Sequence, residues 1–525
     1  MNPESFEDFQ YDSCISRGIC SVSPRTSALQ TVLVLYLRLF AKYAIEIPSE
    51  KIPENFKDLV LNTLAITVFN TDLNEDSFNA TVKNFREILP QLMEIYSELN
   101  PEHDIDAEKS KPLEIFRETG DINRAIRFGE KIFRRGQENI SADVRDLYTI
   151  MLVICNSLSI NLLDLKSYDK NYNDAFITIL NLLGEINLEE KNIEVLKNYI
   201  YKSSETYKNL MKILFETQEA RYGKMQSTEV SYSTKPNKAV LVVGSNIREL
   251  ETVLEELKNE DIDIYTHDEM MFAHTFPKFN EYENLKGQFG QGLENCLIDF
   301  ATFPGPIILT KHSLHNIQNL YRGRLFTTDL TCPKGVIKIK NNDFSEVIKS
   351  ANDAKGFKTG KECESVIIGY DLENIVNTIE SKLKNENYNH LFFIGQERYT
   401  LEQNAYFEKI IKHAPKNVLI ISFSYNIEQE NLIHINACFD SFSLIKFVER
   451  VRQNCQINTT VFFPKCDRNS VSEMIYLSHL ENVEVYVGKC TPIIPNPTLI
   501  TTLNTLFGIK NITTAKKDLE IITKK

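Results

Sequence analysis

The spacing of apolar residues changes once along this chain, near residue 225, and that change dictates a two-part architecture. From Ser23 to about Tyr222 the apolar positions recur with helical period, as in Leu29, Leu33, Leu37 and Phe40, and again in Ile193, Leu196, Tyr199 and Ile200. The polar segment from Gln226 to Asn237 reads as a linker. Beyond it, short β-branched runs alternate with amphipathic stretches, the pattern of parallel sheets built from βαβ units. Lys238–Val243, Ile262–Tyr265, Pro306–Leu309 and Gly335–Ile339 read as strands of a first cycle. After a loop around Lys355 to Glu364, a second cycle places strands at His390–Ile394, Asn417–Ser422, Thr460–Phe463 and Val483–Val487. The expected organisation is an all-α domain over 1–230, a first α/β domain over 231–360 and a second over 361–525. No sequence repeat of about 20–50 residues is evident.

Composition narrows the class of function. Asp and Glu outnumber Lys and Arg by 72 to 59, a formal charge of −13, and no basic stripe offsets it. That balance argues against nucleic acid and anionic membrane surfaces as partners. The acidic stretch Met1 to Asp12 lacks the basic and apolar regions of a secretory signal. The run Leu29 to Ile45 is interrupted by Arg38 and Lys42 and falls short of a membrane span, so it reads as a core helix. Ten cysteines spread through 525 residues form no disulfide framework. Free thiols or metal ligands in a reducing compartment, the cytoplasm, fit them.

Two of those cysteines, Cys14 and Cys20, stand just ahead of Ser23-Pro24, a helix start with Ser23 as N-cap and Pro24 at the first helical position. The positive end of a helix dipole favours thiolates and anionic clusters. Spacing alone fits either a metal-binding pair or two unrelated buried thiols. Cys155, Cys296, Cys332, Cys363, Cys455 and Cys490 have no paired spacing and read as buried or incidental thiols.

Open parallel sheets bind ligands beyond the carboxyl ends of their strands, so the chemistry should lie there. Gly244-Ser245-Asn246 follows the first strand without a Gly-x-Gly-x-x-Gly cradle, and no Walker-type loop occurs, which disfavours a nucleotide site. Tyr265 to His274 packs His267, Asp268, Glu269 and His274 into ten residues, and Phe303 to His315 adds His312 and His315. Such density suits a metal or catalytic site, and it equally suits side chains that bond their own loops.

These blocks carry a resemblance. Tyr265 to His274, Phe303 to Thr310 and Arg324-Leu-Phe-Thr-Thr328 resemble the hybrid cluster proteins. These are also called prismane proteins or hydroxylamine reductases, and are relatives of the carbon monoxide dehydrogenases. Cys14-x5-Cys20, the strand Lys238 to Gly244 and the block Ala437 to Ser443 extend the likeness over nearly the whole chain. The resemblance implies a helical domain followed by two α/β domains, an iron-sulfur cubane near the N-terminus, and a buried iron-sulfur-oxygen cluster that carries the redox chemistry.

Position by position, the resemblance also implies that this second site is mostly lost. The family's strand-end histidine falls on Ser245, and expected cysteines fall on Ser313, near Glu397 and near Phe423. Glu269 and Cys438 are kept, and the last glutamate maps to Asp467 beside Cys466. Soft clusters need thiolates, which serine and phenylalanine do not supply. Glu269, Cys438, Asp467 and Cys466, joined by His267 or His312, compose a candidate set for a single smaller ion. The alternative is a cavity refilled by protein.

At the N-terminus Phe6, Asp8, Phe9 and Gln10 lie where the family places its first two cysteines, leaving Cys14 and Cys20. Two thiolates are half of a cubane's requirement, and a two-fold axis supplies the rest, as in the related carbon monoxide dehydrogenases. The expectation is a 4Fe-4S cluster shared across a homodimer, with the hybrid cluster absent. Electron transfer or redox sensing with a redox partner protein would follow. An oxidoreductase acting on a small nitrogen compound and a non-catalytic relative are the competing classes.

Overall fold

The computed structural model describes residues 23–67, 73–102, 110–138, 140–188, 190–290, 295–313, 318–395, 401–436, 442–464, 468–488 and 497–524. It divides into two compact units, one built mainly from the chain up to Met211 and the other from Lys212 onward.

The first part of the chain is helical, as its periodicity demands. Its helices are α1 (Pro24–Ala44), α2 (Glu54–Ala65), α3 (Glu75–Leu99), α4 (Ser110–Glu118), α5 (Ile122–Glu138), α6 (Ala142–Lys166), α7 (Asn173–Leu188) and α8 (Ile193–Tyr222). The start of α1 is the expected one: Ser23 Oγ accepts the Thr26 N–H at 3.1 Å, and Pro24 takes the first helical position. Leu29, Leu33, Leu37 and Phe40 are all buried, so the apolar run is a core helix. Among the described residues α6 is the one helix long and apolar enough to cross a membrane, and 72% of its most apolar window is buried inside the protein.

The contact between α1 and α5 rests on a missing side chain. A Cβ at Gly129 would lie 2.2 Å from the Ala28 carbonyl oxygen, so the helices meet backbone to backbone. Alanine is the better helix former by about 1 kcal/mol. Gly129→Ala should nevertheless destabilise the protein by about 1–3 kcal/mol, because the two backbones must separate. A denaturation midpoint at or above the wild-type value would contradict that packing.

The segment read as a linker is not wholly one. β1 (Thr228–Ser231) lies inside it and pairs antiparallel with a strand far along the chain. Val230 is buried against Met271 and Ile368, with Tyr232 and Phe272 beside them. One alternating apolar pair amid Ser and Thr is enough once a partner strand covers it.

Two parallel sheets follow. The first contains β2 (Lys238–Val243), β3 (Ile262–His267), β4 (Leu285–Gln288), β5 (Ile307–Leu309), β6 (Leu325–Thr327) and β7 (Ile337–Lys338) in the order β4-β3-β2-β5-β6-β7. β8 (Ser365–Ile368) is the partner of β1. The second sheet contains β9 (His390–Ile394), β10 (Val418–Ser422), β11 (Leu432–His434), β12 (Asn458–Phe463), β13 (Val483–Val487) and β14 (Lys510–Asn511), ordered β11-β10-β9-β12-β13-β14. β9 and β10 are buried along their whole length, which is why they read as unbroken apolar runs. Both sheets are wound the same way. The order reverses between β2 and β5, and between β9 and β12, and such switch points open ligand crevices beyond the carboxyl ends.

Candidate functional site

At the first switch point the loops after β2 and β5 meet in close contact. Gly244 leaves β2 with φ +126°, and a Cβ there would lie 2.2 Å from both Thr310 Oγ1 and Ser313 Oγ. Only glycine fits that approach and that backbone. The buried Thr310 hydroxyl donates to the Val243 carbonyl at 2.9 Å and touches Ser313 Oγ at 3.4 Å. Asn246 then caps α9 (Ile247–Glu256), its Oδ1 accepting the Glu249 N–H at 3.0 Å. The Glu249 carboxylate reaches across the edge, accepting the Lys311 N–H at 3.0 Å and the Thr328 hydroxyl at 2.7 Å. Buried Asp329 accepts the His312 N–H at 2.5 Å, so the loops after β5 and β6 are cross-linked by side chains.

The block Tyr265 to His274 is divided by the end of β3. Asp268 turns with φ +60°, unusual for a residue with a side chain, and opens a 3-10 turn over Asp268–Thr275. His274 is buried in that turn, its Nε2 2.9 Å from Thr266 Oγ1, and the Thr266 hydroxyl donates to Gln288 Oε1 at 2.6 Å. Burial pushes the His274 pKa down to about 4, so its ring is neutral at neutral pH. His267 bonds through Nε2 to Asp299 Oδ2 at 3.0 Å, on α10 (Cys296–Thr302), with its ring edge-on to Phe300. Burial also lowers His312 to about 4, against the upward pull of Asp329 and with help from Arg468 and Lys311. Glu269 is half-buried in the 3-10 turn. Among the described residues, no three His, Cys, Asp or Glu side chains converge as a metal set.

The two other blocks of the resemblance are held together by one side chain. The Arg324 guanidinium donates to the carbonyls of Phe300 at 2.7 Å, Gly305 at 2.9 Å and Phe303, joining Arg324–Thr328 to Phe303–Thr310.

Of the positions where the family's ligands fall, Ser245 is exposed and Ser313 is buried, its hydroxyl 3.4 Å from the Lys311 carbonyl. Phe423 is buried edge-to-face against Phe447 with centroids 5.5 Å apart. A solvated hydroxyl, a hydroxyl packed on Gly244 and a core phenyl ring do not fit an iron-sulfur-oxygen cluster, which by the resemblance needs an imidazole at the first position and thiolates at the other two. Cys14, Cys20, Glu397, Cys438, Cys466 and Asp467 lie outside the described residues. Cys155 and Cys296 are buried, and Cys332, Cys363 and Cys455 half-buried, and none of the five is in a disulfide.

Glu249, Asp299 and Asp329 escaped sequence reasoning. Glu249 had a signal, since Asn246-x-x-Glu249 is the spacing of a capping box. Asp299, 32 residues from the histidine it meets, had none.

Comparison with known proteins decides the family. The profile of the Prismane/CO dehydrogenase family matches residues 10–520. The chain belongs to that family. It is 24% identical over 535 residues to a hydroxylamine reductase of Thermodesulfovibrio yellowstonii, covering 97% of each chain. It is 24% identical over 541 residues to one of Zymomonas mobilis, covering 97% of this chain and 96% of the relative. Among solved structures it resembles the α subunit of an acetyl-CoA synthase/carbon monoxide dehydrogenase described with NiZn and NiNi Fe4S4 clusters. That match has a TM-score of 0.51 and 10% identity, and covers all of this chain and 89% of the other. At that identity the likeness is one of fold. A helical part followed by parallel α/β sheets is the prismane architecture, as the resemblance implied.

Proposed function

We propose that this chain is a cytoplasmic iron-sulfur protein that shares one 4Fe-4S cluster between two copies through Cys14 and Cys20, and serves electron transfer or redox sensing. The carrying observation is the state of the second site. Ser313 sits where a thiolate is needed, and it is locked against Gly244 and Thr310 rather than presented to a ligand. The hybrid cluster is therefore read as lost, and the N-terminal pair as what this family member keeps. The capped N-terminus of α1 supports the reading, since its dipole favours a negatively charged cluster nearby. A cluster bound only by the paired state links dimerisation to iron.

Anaerobically purified protein should be a dimer with about two irons per chain, one cubane over two subunits. Cys14→Ser or Cys20→Ser should lose that iron and weaken the dimer, as followed by iron and sulfide analysis with light scattering. Iron-free native protein, or a monomer holding a full cubane, would overturn the reading.

A second reading is favoured by Glu269 and by relatives named hydroxylamine reductase. In it, Glu269, Cys438, Asp467 and Cys466 would hold a metal at which a small nitrogen compound is reduced with electrons supplied by a redox partner protein. Hydroxylamine turnover that disappears in Glu269→Ala would establish that reading.

A further inference from the structure

Charge is not spread evenly over this acidic chain. Of the 17 residues of α5, five are Lys or Arg and two are Glu, against 59 basic and 72 acidic residues in the whole chain. Arg124, Arg127 and Lys131 are exposed, and their spacing of three and then four residues puts them on one helical face. A basic stripe therefore exists locally, contrary to what composition alone implied. Arg124 is steadied by donating to the Arg117 carbonyl at 3.4 Å. Among the described residues no ion pair engages Arg127 or Lys131. Cations left in this state on one face attract a partner of opposite charge.

The opposite side of α5 is the packed one. Gly129 lies about 200° of helical turn from both Arg127 and Lys131, and it meets the Ala28 carbonyl on α1. Ala28 is five residues beyond Ser23, and Cys20 precedes Ser23 by three. α5 thus crosses α1 within about two turns of the end that the cysteine pair leads into, with its cations exposed. From Arg124 to Lys131 the stripe is about 10 Å long. At physiological ionic strength charges are largely screened beyond about 8 Å. A small acidic protein seated on the stripe meets mainly these cations, whereas a membrane or a nucleic acid would extend onto the rest of a chain whose formal charge is −13.

We propose that Arg124, Arg127 and Lys131 form the docking face for a small acidic electron-carrier protein that reduces the cluster held by Cys14 and Cys20. This assignment rests on the shared-cluster reading. One electron leaves the reduced carrier, whose centre is oxidised, and enters the 4Fe-4S cluster, which is reduced; no bond breaks and no proton is required. Charge complementarity selects the occupant. A basic face speeds encounter with an acidic partner by about 10–1,000-fold, an advantage that falls as salt rises.

Stopped-flow mixing of full-length, anaerobically purified protein with a reduced acidic 2Fe-2S ferredoxin tests it, with reduction of the cluster followed by absorbance. Arg124→Glu/Arg127→Glu/Lys131→Glu should slow the transfer at low salt about 10-fold or more and flatten its salt dependence. Photoreduced deazariboflavin, small and neutral, should reduce both proteins at the same rate. Equal ferredoxin rates in the two proteins, with deazariboflavin active on both, overturn the docking face and leave the shared cluster standing. A triple variant that loses its dimer also overturns it, because the stripe is then an interface between copies. Reduction by neither reagent overturns the shared-cluster reading instead. Calorimetric binding of the same ferredoxin then decides the face, and equal affinity in wild type and variant overturns it. If the triple variant does not fold, Arg127→Gln/Lys131→Gln replaces it, with a loss of about 3-fold or more expected and an unchanged rate overturning the proposal.

Discussion

Glu251→Ala should cost about 3 kcal/mol of stability, the lower end for breaking a buried ion pair. Glu251 is buried on α9, and its carboxylate gathers groups from the end of α8. Arg221 donates through Nε at 2.8 Å and a terminal nitrogen at 3.0 Å, the Tyr222 hydroxyl at 2.9 Å, and Arg248 at 2.6 Å. Lys278 stands 3.8 Å away. Burial alone would raise this carboxyl's pKa, but the bonds from Arg221, Tyr222 and Arg248 outweigh it and hold the pKa below the ordinary value. The arginines are partly solvated and can rehydrate after truncation, which keeps the loss at the lower end of the range. The Tyr222 hydroxyl is buried and loses a charged acceptor. Glu251→Gln, which keeps an acceptor, should lose less. Urea denaturation of both variants checks the order, and equal losses would mean that shape rather than charge holds α8 to α9.

How much of this was legible follows from where each cause lies. The start of α1 was legible because Ser23 and Pro24 act on their own backbone. β2, β9 and β13 were legible to the residue because each is a short run rich in Val, Leu, Ile, Phe or Tyr bounded by polar residues, the pattern of a strand that is largely buried. β4 and β14 were not, since Leu285–Gln288 has one apolar residue and Lys510–Asn511 none. Their strand state comes from the neighbour they pair with, not from their own pattern. The repeated winding of the two sheets left no repeat in the residues, because strand order is set by connection geometry rather than side-chain identity.

The site divides the same way. That chemistry would sit after β2, β3 and β5 followed from the rule for parallel sheets. Which groups would engage one another did not, because the partners of His267 and His312 arrive from 32 and 17 residues away. The density of Tyr265 to His274 misleads as a count of ligands: His274 is engaged by Thr266 and His267 by Asp299.

The engagement of His274 has a consequence for acid stability. The His274 pKa is about 4 in the fold and near 6.5 in the unfolded chain. As pH falls, the unfolded chain therefore takes up this proton first. The neutral ring stabilises the fold fully above about pH 6.5, that contribution drains away down to about pH 4, and no more is lost below it. The difference between the two pKa values corresponds to about 3 kcal/mol over the interval. His274→Gln can still donate to Thr266 Oγ1 but does not titrate. Stability measured by denaturant titration should be steeper in wild type than in His274→Gln between pH 6.5 and 4, with the two running parallel above and below. The burial of His312, His390 and His434 lowers their pKa values too, and because they remain in both proteins they cancel in that difference. Parallel profiles across the whole range would mean that the His274 ring reaches solvent, and that the turn after β3 opens more readily than its hydrogen bonds imply.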